Sequence, residues 1–131
     1  MKKISVIIGF AIISLMFFTT SCSGPSTPSD TLKDFSYAME KGNTDKVISM
    51  LNGNEKEMTK EDKAKLTALL EAGKEELAKK GGIKSIEIIE ETISEDGNSA
   101  KVKAKTTFGD ESVDEGTSKL VKVDGVWKIQ F

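Results

Sequence analysis

The sequence predicts an α+β domain in which helices come first and pack on one face of an antiparallel sheet of about four strands. Three observations carry this. Apolar residues recur every three or four positions between Asp30 and Gly82, they alternate singly after Ile83, and turn signals at Glu95–Asn98 and Asp124–Gly125 punctuate the second half. Helices followed by strands, rather than interleaved with them, segregate the helices to one side of the sheet. At 131 residues, 37% apolar and 31% charged, the chain holds one such domain plus short accessory segments.

The first accessory is at the amino end. Lys2 and Lys3 precede fifteen mostly apolar residues, Ile4 to Phe18, and small polar residues follow. That order is the charged, apolar and cleavage zones of a secretory signal, and the run falls short of the ~18–20 residues needed to cross a bilayer. The run ends at Cys22, the only cysteine. Alone, it cannot staple the fold, and next to a Ser/Pro stretch it has neither base nor pocket to act as a nucleophile. The residues "TTSC", Thr19 to Cys22, resemble the bacterial lipobox, with Thr19 where leucine is usual. The resemblance implies cleavage before Cys22 and acylation of its thiol, and the acyl chains would hold the mature protein on a membrane. Ser23, which is not an aspartate, implies sorting to the outer membrane of the bacterial envelope, facing the periplasm. "SGPSTPSD" then reads as a solvated tether stiffened by Pro25 and Pro28. The chain thus divides into a signal peptide at 1–21, a lipidated cysteine with its tether at 22–29, and a single domain at 30–131.

The first helix carries Leu32, Phe35 and Met39 on one face, with Ser29 or Asp30 as cap and Gly42 as stop. A short second helix, in "NTDKVISMLNG", buries Val47, Ile48 and Leu51. The third opens on a capping box, Thr59 with Asp62, and runs Leu66, Leu69, Leu70, Gly73 and Leu77 along its inner side. Glu61–Lys65, Glu75–Lys79 and Glu76–Lys80 are spaced to pair on its outer side, and Gly81–Gly82 ends it.

The first strand, "IKSIEIIEETI", slips phase between Ile88 and Ile89, which predicts a bulge or a strong bend. The second alternates Ala100, Val102, Ala104, Thr106 and Phe108 with Lys101, Lys103, Lys105 and Thr107. A two-residue turn at Asp124–Gly125 sets Lys122 opposite Trp127 and Leu120 opposite Ile129, with the Lys122 stem along the indole.

Composition excludes several chemistries. The positive charges are all lysine, and histidine is missing, so Ser–His–Asp, Cys–His and histidine-bearing zinc sites cannot be built. Loss of residues 1–21 would leave 17 lysines against 21 acids, a net charge of −4. An acidic chain without arginine is not a nucleic-acid binder. Asp110, Glu111, Asp114 and Glu115 cluster, but without the alternation of a calcium loop, and read as a solvated connection. No metal and no cofactor is expected. The lysine row Lys101, Lys103, Lys105 reads as an outward face paired with Glu87, Glu90 or Glu91 rather than a lipid-binding strip.

"AMEKGNTDKVISML", "GGIKSIEI", "EDGNSAKVK" and above all the closing "VKVDGVWKIQF" together resemble a family of small bacterial lipoproteins. That family is a domain of unknown function within the nuclear transport factor 2-like, or cystatin-like, superfamily. The resemblance spans nearly all of residues 30–131. It implies a cone, with a curved sheet wrapped around helices and a pocket between them, and carries over no catalytic residue. On that geometry Phe35, Tyr37, Met39, Phe108 and Trp127 are the large side chains available to line a pocket or fill a core. Tyr37, flanked by Asp34 and Glu40, is the one hydroxyl that could orient a ligand, although wet packing with both acids solvated is the plainer reading. The expected function is a noncatalytic module taking a small apolar ligand or a protein partner. The alternative is a small isomerase- or hydrolase-like enzyme using the pocket.

Overall fold

In the computed structural model, residues 27–53 and 57–130 are described. The signal segment, Cys22 and most of the tether lie outside the described residues, as does Phe131. Helix α1 (Pro28–Lys41) is capped by Thr27, whose hydroxyl oxygen accepts from the Asp30 N–H at 3.1 Å. The cap is therefore neither Ser29 nor Asp30. Thr27 has extended backbone, and Pro28, whose missing N–H costs nothing at the first helical position, starts the helix one residue later. Gly42 stops it in the left-handed conformation, φ 71°.

Helix α2 (Thr44–Ser49) buries Val47 and Ile48. Leu51, expected to be buried with them, is half-buried and instead forms a parallel bridge to Ile129. Helix α3 (Lys60–Lys79) starts on the predicted reciprocal box between Thr59 and Asp62. It lies against α1, and among its residues only Leu70 is buried. Leu69, predicted to face inward, is 71% exposed, because one neighbouring helix covers a narrower stripe than a full core would. The Glu61–Lys65 pair forms at 2.9 Å, whereas Lys79 bridges to Glu76 at 2.7 Å rather than to Glu75.

Four strands follow: β1 (Ile83–Ile93), β2 (Ser99–Phe108), β3 (Val113–Val123) and β4 (Val126–Gln130). They form a curved antiparallel sheet in the order β1-β2-β3-β4. The register shifts between Ile88 and Glu90, where the phase slip lies, and again between Ile83 and Ser85. Across β3 and β4, Leu120 faces Ile129 and Lys122 faces Trp127, as the Asp124–Gly125 turn requires. Asp114 and Glu115 belong to strand β3, so only the Asp110–Glu111 half of the acidic stretch is a connection. On the outer face Lys103 stands across from Glu90 and bridges Glu115 at 3.3 Å, while Lys105 stands across from Glu87.

Helix α1 packs on the inner face of the sheet against β1, β2 and β4. The core joins Leu32, Phe35 and Ala38 of α1 and Val47 and Ile48 of α2 to Val102, Leu120, Trp127 and Ile129. The β4 edge is not free. The Ile129 N–H donates to Met50 O at 2.8 Å and Ile129 O accepts from Asn52 N–H at 2.7 Å, so the segment after α2 closes that edge.

Candidate functional site

The position of the site follows from a change along one strand. Residues that face one another in a ladder share a face, so pairing with Val102, Ala104 and Thr106 puts Ser118, Gly116 and Asp114 on the inner side of β3. Starting from buried Leu120 and moving toward the start of β3, the inner positions are thus Leu, Ser, Gly and Asp. Apolar volume is lost step by step, and residues 113–117 are exposed. Helix α1 has nothing to pack on there, and a cleft of about 210 Å³ remains beside it.

Leu32, Ile86 and Ala104 give the cleft an apolar floor; Ser36, Thr106 and Ser118 bring hydroxyls, and Asp114 the sole charge of its lining. The Ser36 hydroxyl is already committed, donating to the Leu32 carbonyl at 2.9 Å. A Cβ added at Gly116 would meet nothing within 4 Å, so the absent side chain leaves space rather than relieving a clash. Small and polar groups around an apolar floor suit a ligand that is held by burial and oriented by a few hydrogen bonds.

The five large side chains singled out from the sequence do not meet around this cleft. Phe35 and Trp127 are buried together in the core. Phe108 is buried at the end of β2, where the Lys80 ammonium nitrogen lies 4.4 Å from its ring centre. Met39 lines a small pocket of about 70 Å³ with Gly42, Leu70 and Lys74. Tyr37 is 37% exposed and borders none of the clefts described. Nor are its flanking acids merely solvated. Asp34 pairs with Lys46 at 2.7 Å, and Glu40 accepts from the Ile83 N–H at 2.8 Å, tying α1 to the start of β1.

Ser36, Asp114, Gly116 and Ser118 were not among those side chains. A signal for three of them was available: counting back from the Asp124–Gly125 turn fixes the inner phase of β3, and that phase turns polar. Among the described residues no cluster of three or more acids or cysteines could hold a metal ion.

The family described as "Domain of unknown function (DUF4878)" matches residues 20–130. Among solved structures, a proposed NTF2-like transpeptidase from Campylobacter jejuni superposes with a TM-score of 0.68 at 25% identity, over 81% of this chain and 99% of that one. A SEC-C motif-containing protein from Rhodopseudomonas palustris superposes with a TM-score of 0.55 at 12% identity, over 83% of this chain and 79% of the other, a likeness of fold alone. No curated protein matches the sequence.

Proposed function

Because the chain belongs to the DUF4878 family, a domain of unknown function with the nuclear transport factor 2-like fold, we propose that it is a noncatalytic binding module. In this reading acylated Cys22 anchors it to the outer membrane, facing the periplasm, and the inner-face cleft takes a small ligand. The observation that carries the reading is the cleft itself, where an apolar floor of Leu32, Ile86 and Ala104 meets one carboxylate, Asp114, and several hydroxyls. Such a lining favours a ligand with an apolar body and hydrogen-bond donors, such as an alcohol or amine, directed at Asp114.

An enzyme is the second reading, favoured by the name of the Campylobacter jejuni neighbour. Acyl transfer through a serine needs a base within hydrogen-bond reach of the hydroxyl. Ser36 spends its proton on the Leu32 carbonyl, no lysine lines the cleft, and no hydrogen bond joins the Thr106, Thr117 or Ser118 hydroxyl to Asp114. Binding is therefore the better-supported function.

Two experiments test it. Mass spectrometry of small molecules that co-purify with the protein should find a ligand with wild type and none with Gly116→Leu, whose side chain would fill the cleft. A ligand retained at equal occupancy by Gly116→Leu moves the site elsewhere. Separately, Cys22→Ala should release the protein from membranes or leave it unprocessed, whereas a variant still membrane-bound and cut at the same place ends the anchored reading.

A further inference from the structure

The outer face of the sheet holds one local conflict. Lys101 of β2 and Lys119 of β3 stand directly opposite each other. Like charges directly opposite in an antiparallel pair destabilise it. The neighbouring lysines avoid this cost by facing acids, Lys103 with Glu90 and Glu115, and Lys105 with Glu87. The row that crosses the whole sheet at Lys101 reads Thr92, Lys101, Lys119, Gln130, with no acid in it. These four residues border a shallow depression of about 360 Å³.

Beside that row the same face turns apolar. Val121, Val123 and Val126 continue the outer phase of β3 and β4; Val123 is 39% and Val126 51% exposed. Unpaired ammonium groups beside exposed aliphatic side chains are the composition of a surface that lies at a lipid headgroup boundary.

The amino end emerges at the same end of the sheet but from its inner side, since Glu91 pairs with buried Val102, and the tether would reach the outer face by rounding the β1 edge. The Ser29 N–H donates to the Glu91 carboxylate at 2.9 Å, and the Ser29 hydroxyl donates to the same oxygen. Glu91 precedes Thr92, so α1 begins beside the end of β1 that carries the unpaired row. The five steps from Cys22 to Thr27 can span at most about 18 Å. An acyl anchor at Cys22 would hold this end of the sheet near the bilayer.

We infer that the outer face docks flat on an anionic membrane surface, Lys101 and Lys119 meeting lipid phosphates and Val123 and Val126 entering the headgroup layer. This rests on the anchored reading. Flat docking also covers Glu87, Glu90 and Glu115, but Lys103 and Lys105 already face these acids, so the charge left to meet lipid is that of Lys101 and Lys119. Each lysine near such a surface strengthens association about fivefold.

Lysine footprinting of the mature chain tests the inference. Vesicles in excess, either phosphatidylcholine alone or mixed with phosphatidylglycerol, are added, and the rate at which each lysine reacts with an amine-directed reagent is read by mass spectrometry. Anionic vesicles should slow Lys101 and Lys119 about fivefold or more. Lys128, opposite Val121 on the same face, should be slowed with them; Lys65 on α3 should be unaffected, high salt should restore the rates, and Lys101→Glu with Lys119→Glu should abolish the slowing at Lys128. Equal rates on both vesicles overturn the inference. So does equal protection by inorganic phosphate with neutral vesicles, which would make this a free-anion site. Protection that grows with protein concentration without lipid also overturns it, and gives the face to a second copy or a protein partner. Acylation of Cys22 is read separately by intact mass. Its absence would sink the anchored reading while leaving the footprint to judge the docking face, because excess vesicles present the same headgroups to an unacylated chain.

Discussion

Lys122 and Trp127 face each other across the last hairpin, with the Lys122 ammonium nitrogen 5.4 Å from the centre of the indole ring. The ring is buried with Phe35, Leu120 and Ile129, so the cation covers its open face while the aliphatic stem shields it from water. Trp127→Ala should cost about 3–5 kcal/mol. Against a total of about 5–15 kcal/mol the domain would melt far lower or fail to fold. Lys122→Ala should cost only about 0.5–1 kcal/mol. Thermal melts of the two variants check both figures, and a Trp127→Ala melt near wild type would mean that β4 is a frayed tail.

The turn after α3 is pressed against the turn after β2. A Cβ placed on Gly109 would lie 2.3 Å from the Gly81 carbonyl oxygen, and that obstacle is backbone on both sides. Gly109→Ala should therefore lose about 1–3 kcal/mol or more as the two segments are forced apart. Gly116→Ala, at an open position on β3, should stay within about 0.5 kcal/mol of wild type. Denaturant midpoints of this pair separate close approach from a general penalty on glycine replacement.

Lys119→Glu should stabilise the protein. It turns the Lys101–Lys119 like-charge pair into an opposite-charge pair across the same two strands. A gain of about 0.2–1 kcal/mol follows, which for a domain of this size raises Tm by about 1–5 °C. The rise should shrink at high salt. An unchanged or lower Tm would show that the lysines avoid each other in solution.

Acid should weaken two turns. The Ser112 hydroxyl, followed by the Ser112 N–H, holds the Asp110 carboxyl below its ordinary value of 3.8. The Ser94 hydroxyl and the Asn98 N–H do the same for Asp96. A carboxyl whose folded pKa is depressed contributes stability above its unfolded pKa, and loses it as pH falls through the folded value. Melts should therefore show a loss that begins near the ordinary carboxylate range and continues below it, and Asp110→Asn should flatten that limb. Ser112→Ala should move the Asp110 titration upward, as read by NMR.

Much of this molecule was legible in its sequence wherever neighbouring residues along the chain decide the outcome. The Thr59–Asp62 box, the alternation of β2, the slip at Ile88 and the register set by Asp124–Gly125 all depend on residues a few positions apart. Backbone geometry alone converts such spacings into caps, faces, bulges and partners. The α+β order of helices before strands follows from the same periodicities.

Other features depended on what covers each face, and only the tertiary structure decided them. Periodicity marks Leu69 and Leu70 equally, yet α1 reaches one and leaves the other in water. Bulk favoured the aromatic residues as pocket walls, but burial drew Phe35 and Trp127 into the core, where their apolar area is best removed from water. The open cleft remained where β3 has only Ser118, Gly116 and Asp114 to offer the helix. Lys101 and Lys119 lie eighteen positions apart in the chain, and only the pairing of β2 with β3 brings their charges face to face. Periodicity records which residues share a face; the packing of distant segments decides which faces are buried and which charges must find a partner from outside.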